Sequence, residues 1–115
     1  MRTLLIVVIT SLAFIGTAIA GPMHDAAKAG DVAKVRQLLA NGAKVDARNK
    51  YGETPLHKAA ALGEGGAVKV LLAAGADGSL KTEEGRTPFD LAKESGKLQK
   101  NDPDTYWLLN DAQYK

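Results

Sequence analysis

The sequence repeats itself every 33 residues, and no other feature constrains its fold as tightly. Thr54-Pro55-Leu56-His57 returns as Thr87-Pro88-Phe89-Asp90. Pro22-Met23-His24 stands one period before Pro55-Leu56-His57. Gly30 recurs as Gly63 and Gly96, Leu38-Leu39 as Leu71-Leu72, Gly42-Ala43 as Gly75-Ala76, and Gly52 as Gly85. A fixed period of this length indicates stacked supersecondary units rather than one globule. A single unit is too small to bury its own apolar face, so neighbours must cover it.

Local signals within a period agree with this. Thr54 followed by Pro55 predicts a helix N-cap and a first helical residue. The hydroxyl accepts from an orphan amide, and proline lacks the N–H that would go unused there. Leu56, Ala59 and Ala60 then share one helical face, with alanines that let neighbouring helices approach. Gly63 ends that short helix at a position that favours positive φ. A second helix carries Val68, Leu71 and Leu72 as its apolar stripe, and Gly75 ends it. Ala76 to Glu84 is then extended and polar, with Gly85 at a turn.

The run Gly52-Glu53-Thr54-Pro55-Leu56-His57-Lys58-Ala59-Ala60 resembles an ankyrin repeat, as do Gly63, Leu71-Leu72, Gly75-Ala76 and Asp77. The likeness is strongest from Gly42 to Gly75, starts at Pro22, and fades after Gly96. Asp90 replaces the histidine and Lys93 an alanine in the last unit. The resemblance implies an all-α solenoid of about three helix-loop-helix repeats with short β-hairpin fingers. The repeats run over about 22–53, 54–86 and 87–115. The last is expected to be modified. Lys97 to Asn101 is a polar loop, and Asp102-Pro103-Asp104 starts a capping helix whose Leu108-Leu109 arrive four residues late. Trp107 is expected to pack on the preceding unit.

Residues 1–20 pose a separate problem. Arg2 gives a positive start, and Leu4 to Ile15 is apolar apart from Thr10 and Ser11. Ala18-Ile19-Ala20 places small residues where a signal peptidase requires them. A secretory signal peptide cleaved near Ala20-Gly21 is the expectation. The rival is an uncleaved anchor, because an apolar stretch of about 17 residues lies at the lower limit of a membrane span. Cleavage would leave residues 21–115, with 14 basic side chains (15 less Arg2) and 13 acidic, a net charge of about +1. That balance argues against nucleic acid, which favours a basic stripe. The absence of cysteine excludes disulfide and thiolate chemistry. A bacterial periplasmic or secreted protein is expected, with no membrane contact once the leader is gone.

Little in the chain suggests catalysis, and no enzyme activity, cofactor or metal is expected. His24 and His57 lie one period apart, in a slot that ankyrin-like proteins use for hydrogen bonds between units. They lack the spacing of metal ligands. Ser95-Gly96-Lys97 lacks the upstream glycine of a phosphate loop, since position 91 is Leu.

The resemblance does suggest where a protein partner binds. In ankyrin-like proteins the hairpin tips and first helices line a concave face, and positions between the framework residues vary. Here the protein-binding candidates are Lys28 in the first unit and Lys50, Tyr51, Glu53, Lys58 and Leu62 in the second. In the third they are Glu83, Glu84, Arg86 and Glu94. Tyr51 at a fingertip has no framework role, and such aromatics anchor interfaces. The first two units are mainly basic and the third mainly acidic, which would orient a partner. The leading expectation is an exported binding module that inhibits, or protects against, a periplasmic enzyme such as a cell-wall hydrolase. Alternatives are a secreted host-directed effector and an accessory protein to a periplasmic stress enzyme.

Overall fold

The computed structural model describes residues 20–114. The expected leader lies outside this range except for Ala20. The described residues form helices joined by turns, with no strand among them. The helices are α1 (Ala20–Ala29), α2 (Val32–Ala40), α3 (Pro55–Leu62), α4 (Gly65–Ala73), α5 (Pro88–Ser95), α6 (Lys97–Asn101) and α7 (Pro103–Ala112).

Two layers result. In the first layer α3 lies between α1 and α5. In the second, α4 lies between α2 and α7. Within α3, Leu56, Ala59 and Ala60 are wholly buried, as are Ala67, Val68 and Leu71 in α4. Met23, Ala27 and Val35 fill the first unit, and Phe89 and Ala92 the third. The core is therefore one continuous seam along the stack rather than three separate cores. Full burial of a leucine side chain contributes roughly 1.5–3 kcal/mol. Replacement of any seam residue is felt by two units.

Caps set the helix starts. Thr54 accepts from the His57 amide at 3.3 Å, and Thr87 from the Asp90 amide at 3.1 Å. Pro55 and Pro88 occupy the first helical turn. Asp31 caps α2 by accepting from the Lys34 amide at 3.1 Å. Gly63 closes α3 with φ of 75°. A Cβ there would also lie 2.7 Å from Cβ of Lys97, so both backbone and space require glycine.

The third unit departs from the sequence expectation in two ways. Lys97 to Asn101 is not a loop. It is the short helix α6, and its Leu98 is fully buried. The segment is polar on average, but one leucine is enough to anchor a single turn against the end of α3. This inserted turn explains the four-residue delay of the last double leucine. Asp102 then caps α7, accepting from the Thr105 amide at 3.2 Å and the Thr105 hydroxyl at 2.7 Å.

The second departure concerns Trp107, which does not pack on the preceding unit: it is 55% exposed. Tyr106 is instead the inward-facing ring of α7, and it packs on the first helix of its own unit. It is buried, and its ring centroid lies 4.9 Å from that of Phe89. Trp107 rests edge-on against Tyr106 at 5.1 Å. Successive helical residues point about 100° apart, so the inserted turn decides which aromatic faces inward. Gly78 completes the seating of α7. A Cβ on it would meet Ala112 at 2.9 Å, so the loop after α4 lies directly on the last helix.

These assignments give opposite expectations for two apolar residues of the cap. Leu98→Ala should lower the unfolding free energy by about 2–5 kcal/mol, the usual range for emptying a core site. Trp107→Ala should cost about 1 kcal/mol or less, as at an exposed ring pair. Urea unfolding of the two variants checks this, and the reverse order would place the tryptophan in the core.

Candidate functional site

The loops between units form two linked tips. Asn49 and Gly52 close the first tight turn: the Asn49 amide donates to the Glu53 carbonyl at 3.0 Å and the Gly52 amide to the Asn49 carbonyl at 3.0 Å. Thr82 and Gly85 repeat this in the next period, with Thr82 donating to Arg86 at 2.9 Å. The fingers are thus closed turns rather than ladders of strand. Three bonds then tie one finger to the next. The Glu83 amide donates to the Tyr51 carbonyl at 3.1 Å. The Arg48 guanidinium donates to the Lys81 carbonyl at 3.1 Å. The Asp77 amide donates to the Asp46 carboxylate at 3.1 Å. These bonds join the two tips into one platform.

The two histidines fix this platform to the helices. His24 Nε2 donates to the Glu53 carbonyl at 2.6 Å, and His57 Nε2 to the Arg86 carbonyl at 2.9 Å. Each bond runs from a first helix to the finger that leads into the following unit. The Nδ1 atom of His57 accepts from the Thr54 amide at 3.0 Å and lies 2.9 Å from the Thr54 hydroxyl. One imidazole therefore caps its own helix and holds the neighbour's finger. Asp90 repeats only the first task, accepting from the Thr87 amide at 3.0 Å. The Thr87 hydroxyl instead donates to Gln113, just after α7, at 3.2 Å.

The candidate binding residues lie along the fingers and first helices. Tyr51 is 56% exposed at its tip, and the Lys50 ammonium sits 5.2 Å from the ring centroid. Glu53 and Lys58 form an ion pair at 2.9 Å, and Arg86 pairs with Glu94. Burial raises the Glu53 pKa, but hydrogen bonds from Asn49 and Lys58 outweigh it and hold the carboxyl below its usual range. Lys28, Lys50, Glu83 and Glu84 are exposed and have no ion pair among the described residues. Leu62 is only half exposed, at the end of α3.

Two shallow depressions open between these groups. One, of about 230 Å³, is lined by Gly21, His24, Asp25, Lys28, Asn49 and Lys58. The other, of about 240 Å³, is lined by Tyr51, Glu53, Thr82, Glu83, Glu84 and Leu91. Sequence reasoning missed this pairing of Tyr51 with Leu91. The two residues are 40 positions apart and line one depression only because adjacent units stack. Among the described residues no group of three acids or histidines converges to hold a metal, and no helix is long and apolar enough to cross a membrane.

The roles of His57 set an acid response. Burial foremost pulls its pKa below the usual imidazole value, while the Arg86 carbonyl and the Glu53 charge act the other way. The unfolded chain, with an imidazole pKa of about 6.5, therefore binds a proton before the folded one does. Stability is fully present above that value and falls as pH drops toward the folded pKa. His57→Asn should start less stable at pH 7.5 and lose less on acidification to pH 5. Thermal melts of both proteins across this range test the point, and parallel pH profiles would contradict it.

A protein-family model described as ankyrin repeats, in three copies, matches residues 23–112. No curated protein matches the chain. The matched span contains α2 to α7 and most of α1, both finger-holding histidines and every candidate binding residue. The chain belongs to the ankyrin repeat family.

Proposed function

We propose that this chain is an exported protein-binding module that acts through its fingertips and first helices to block an enzyme outside the cytoplasm. A cell-wall hydrolase of the periplasm is the target class in mind. Ankyrin repeats indicate protein–protein interaction, and their domains are typically non-enzymatic. The observation that carries the reading is Tyr51. It is a large ring, 56% exposed, on a platform held rigid by two histidine bonds and three bonds between fingers. Its ring meets the ammonium of Lys50, the residue beside it in sequence.

An exposed aromatic on a pre-ordered support suits an interface anchor, because little freedom remains to be lost on binding. Export is supported by the leader-like pattern of residues 1–20. The two depressions are shallow and lack any nucleophile with an adjacent base, which favours docking over chemistry. Blocking follows from shape: fingertips that project from a stack enter a cleft more readily than a flat surface does.

The test has two arms. The protein is immobilised and exposed to periplasmic extract, alongside a Tyr51→Ala variant of equal thermal stability. One hydrolase should be retained by the native protein and at least tenfold less by the variant, and its activity should fall as the native protein is added. Equal retention by both would remove the role of Tyr51. Retention without any loss of activity would remove the inhibitor role.

A further inference from the structure

The second helix layer carries an opening of its own, away from the fingers. It is a crevice of about 610 Å³ between α4 and α7. Leu72, Ala73, Ala76, Leu108 and Ala112 give it apolar walls, and Lys69 and Asp77 are its charged members. Leu109 is fully buried, whereas Leu108 is 45% exposed. One leucine of the pair thus enters the core, and the other is left as a wall of the crevice.

Two close contacts fix the width of this crevice. At one end, a Cβ on Gly65, the first residue of α4, would collide with the Asp102 carboxylate that caps α7. At the other, a Cβ on Gly78 would meet the Cβ of Ala112 at 2.9 Å and its carbonyl at 3.0 Å. α7 is therefore seated on the second unit at both of its ends. α4 has 9 residues at about 1.5 Å each, so roughly 13 Å of crevice lies between the seats. A further helix, about 10–12 Å across with its side chains, cannot sink between two helices pinned in this way. The volume of about 610 Å³ does fall within the range of about 300–1,000 Å³ typical of small-molecule sites.

The charges at the crevice are already engaged. Lys69 pairs with Asp102 at 3.7 Å. The Asp77 carboxylate accepts from the Ser79 amide at 2.9 Å and from the Ser79 hydroxyl at 2.6 Å. Neither group is left to select an ion of opposite sign. What the walls offer is apolar area from two leucines and three alanines, and covering it removes that area from water.

We infer that the crevice between α4 and α7 binds one small, uncharged, apolar molecule of aromatic or short-chain aliphatic kind. The molecule lies between Leu72 and Leu108. Ala73 and Ala112 leave the room that it fills, and a larger side chain at either position would take that room. Occupancy bridges the second unit and the last helix, so the ligand stabilises the docking of α7.

The test is a titration of the purified protein with toluene and with indole, followed by amide chemical shifts and thermal melts. Both probes should saturate, raise the melting temperature and shift chiefly the amides of residues 69–78 and 108–112. Benzoate and benzylammonium should bind at least tenfold more weakly. Ala73→Trp, at an exposed position, should weaken toluene and indole at least tenfold by filling the space, with the fold intact by circular dichroism. Leu108→Asn should do the same by removing a wall. Titrations that do not saturate, shifts centred on Tyr51, or variants that bind both probes as the native chain does would overturn the inference. Equal binding of benzoate or benzylammonium would overturn it by showing that the site selects charge. Shifts of the same amides on concentrating the protein without a probe would make a second copy the occupant and overturn it as well.

Discussion

The hydrogen bond from a histidine to the next unit's finger is the contact on which the rest of this structure depends. Apolar stacking holds the helix pairs together, but it is non-directional and does not place a loop. The loops between units have no strand ladder of their own. Without a bond from the helices they would have only turn geometry to define them. His57 Nε2 supplies that bond to Arg86, and His24 supplies it to Glu53. The same His57 ring holds Thr54 through Nδ1, so helix start and neighbouring finger are set by one rigid group. Burial keeps the ring neutral, which leaves one nitrogen to accept and one to donate.

From this follows the rigidity of the candidate face. A fingertip that is bonded to its own helix, the next helix and the next finger has little freedom to lose. Tyr51 is projected from such a tip, and its backbone carbonyl is itself one of the tethers. Exposed charges beside it are sorted by the same tethering. Those close enough to a partner, Glu53 with Lys58 and Arg86 with Glu94, cancel locally. Those at the outer tips do not. The distribution of free charge is thus a product of the fold and differs from the distribution of charge in the sequence.

Much of the fold was legible in advance, for a physical reason. Caps, terminating glycines and helix stripes act within a few residues, and the 33-residue period repeats them. The helix starts at Pro55 and Pro88, the stop at Gly63 and the cap at Asp102 follow from such local rules. The third unit was legible only in part. Lys97 to Asn101 is polar on average, and nothing local reveals that Leu98 has a buried site to enter. Trp107 and Tyr106 are adjacent, so a shift of one helical position exchanges the inward ring. Tertiary contact with Phe89 made that choice. At the candidate face the exposed residues were legible, but their pairing was not. Tyr51 and Leu91 share a depression only through stacking.

The end of the stack shows what the repeat requires when repetition stops. In the first two units a histidine reaches forward to a finger. In the third unit an aspartate stands in the same position, and among the described residues no finger follows it. Asp90 keeps the capping of its own helix, because a carboxylate accepts from the Thr87 amide as an imidazole nitrogen does. It has no N–H to reach forward. Gln113, from beyond α7, bonds the Thr87 hydroxyl instead. α6 and α7 meanwhile form the second layer of the third unit and pack back on α3, α4 and α5, with Leu98, Tyr106 and Leu109 buried. The exchange of histidine for aspartate and the insertion of α6 therefore both set the third unit apart from the two before it.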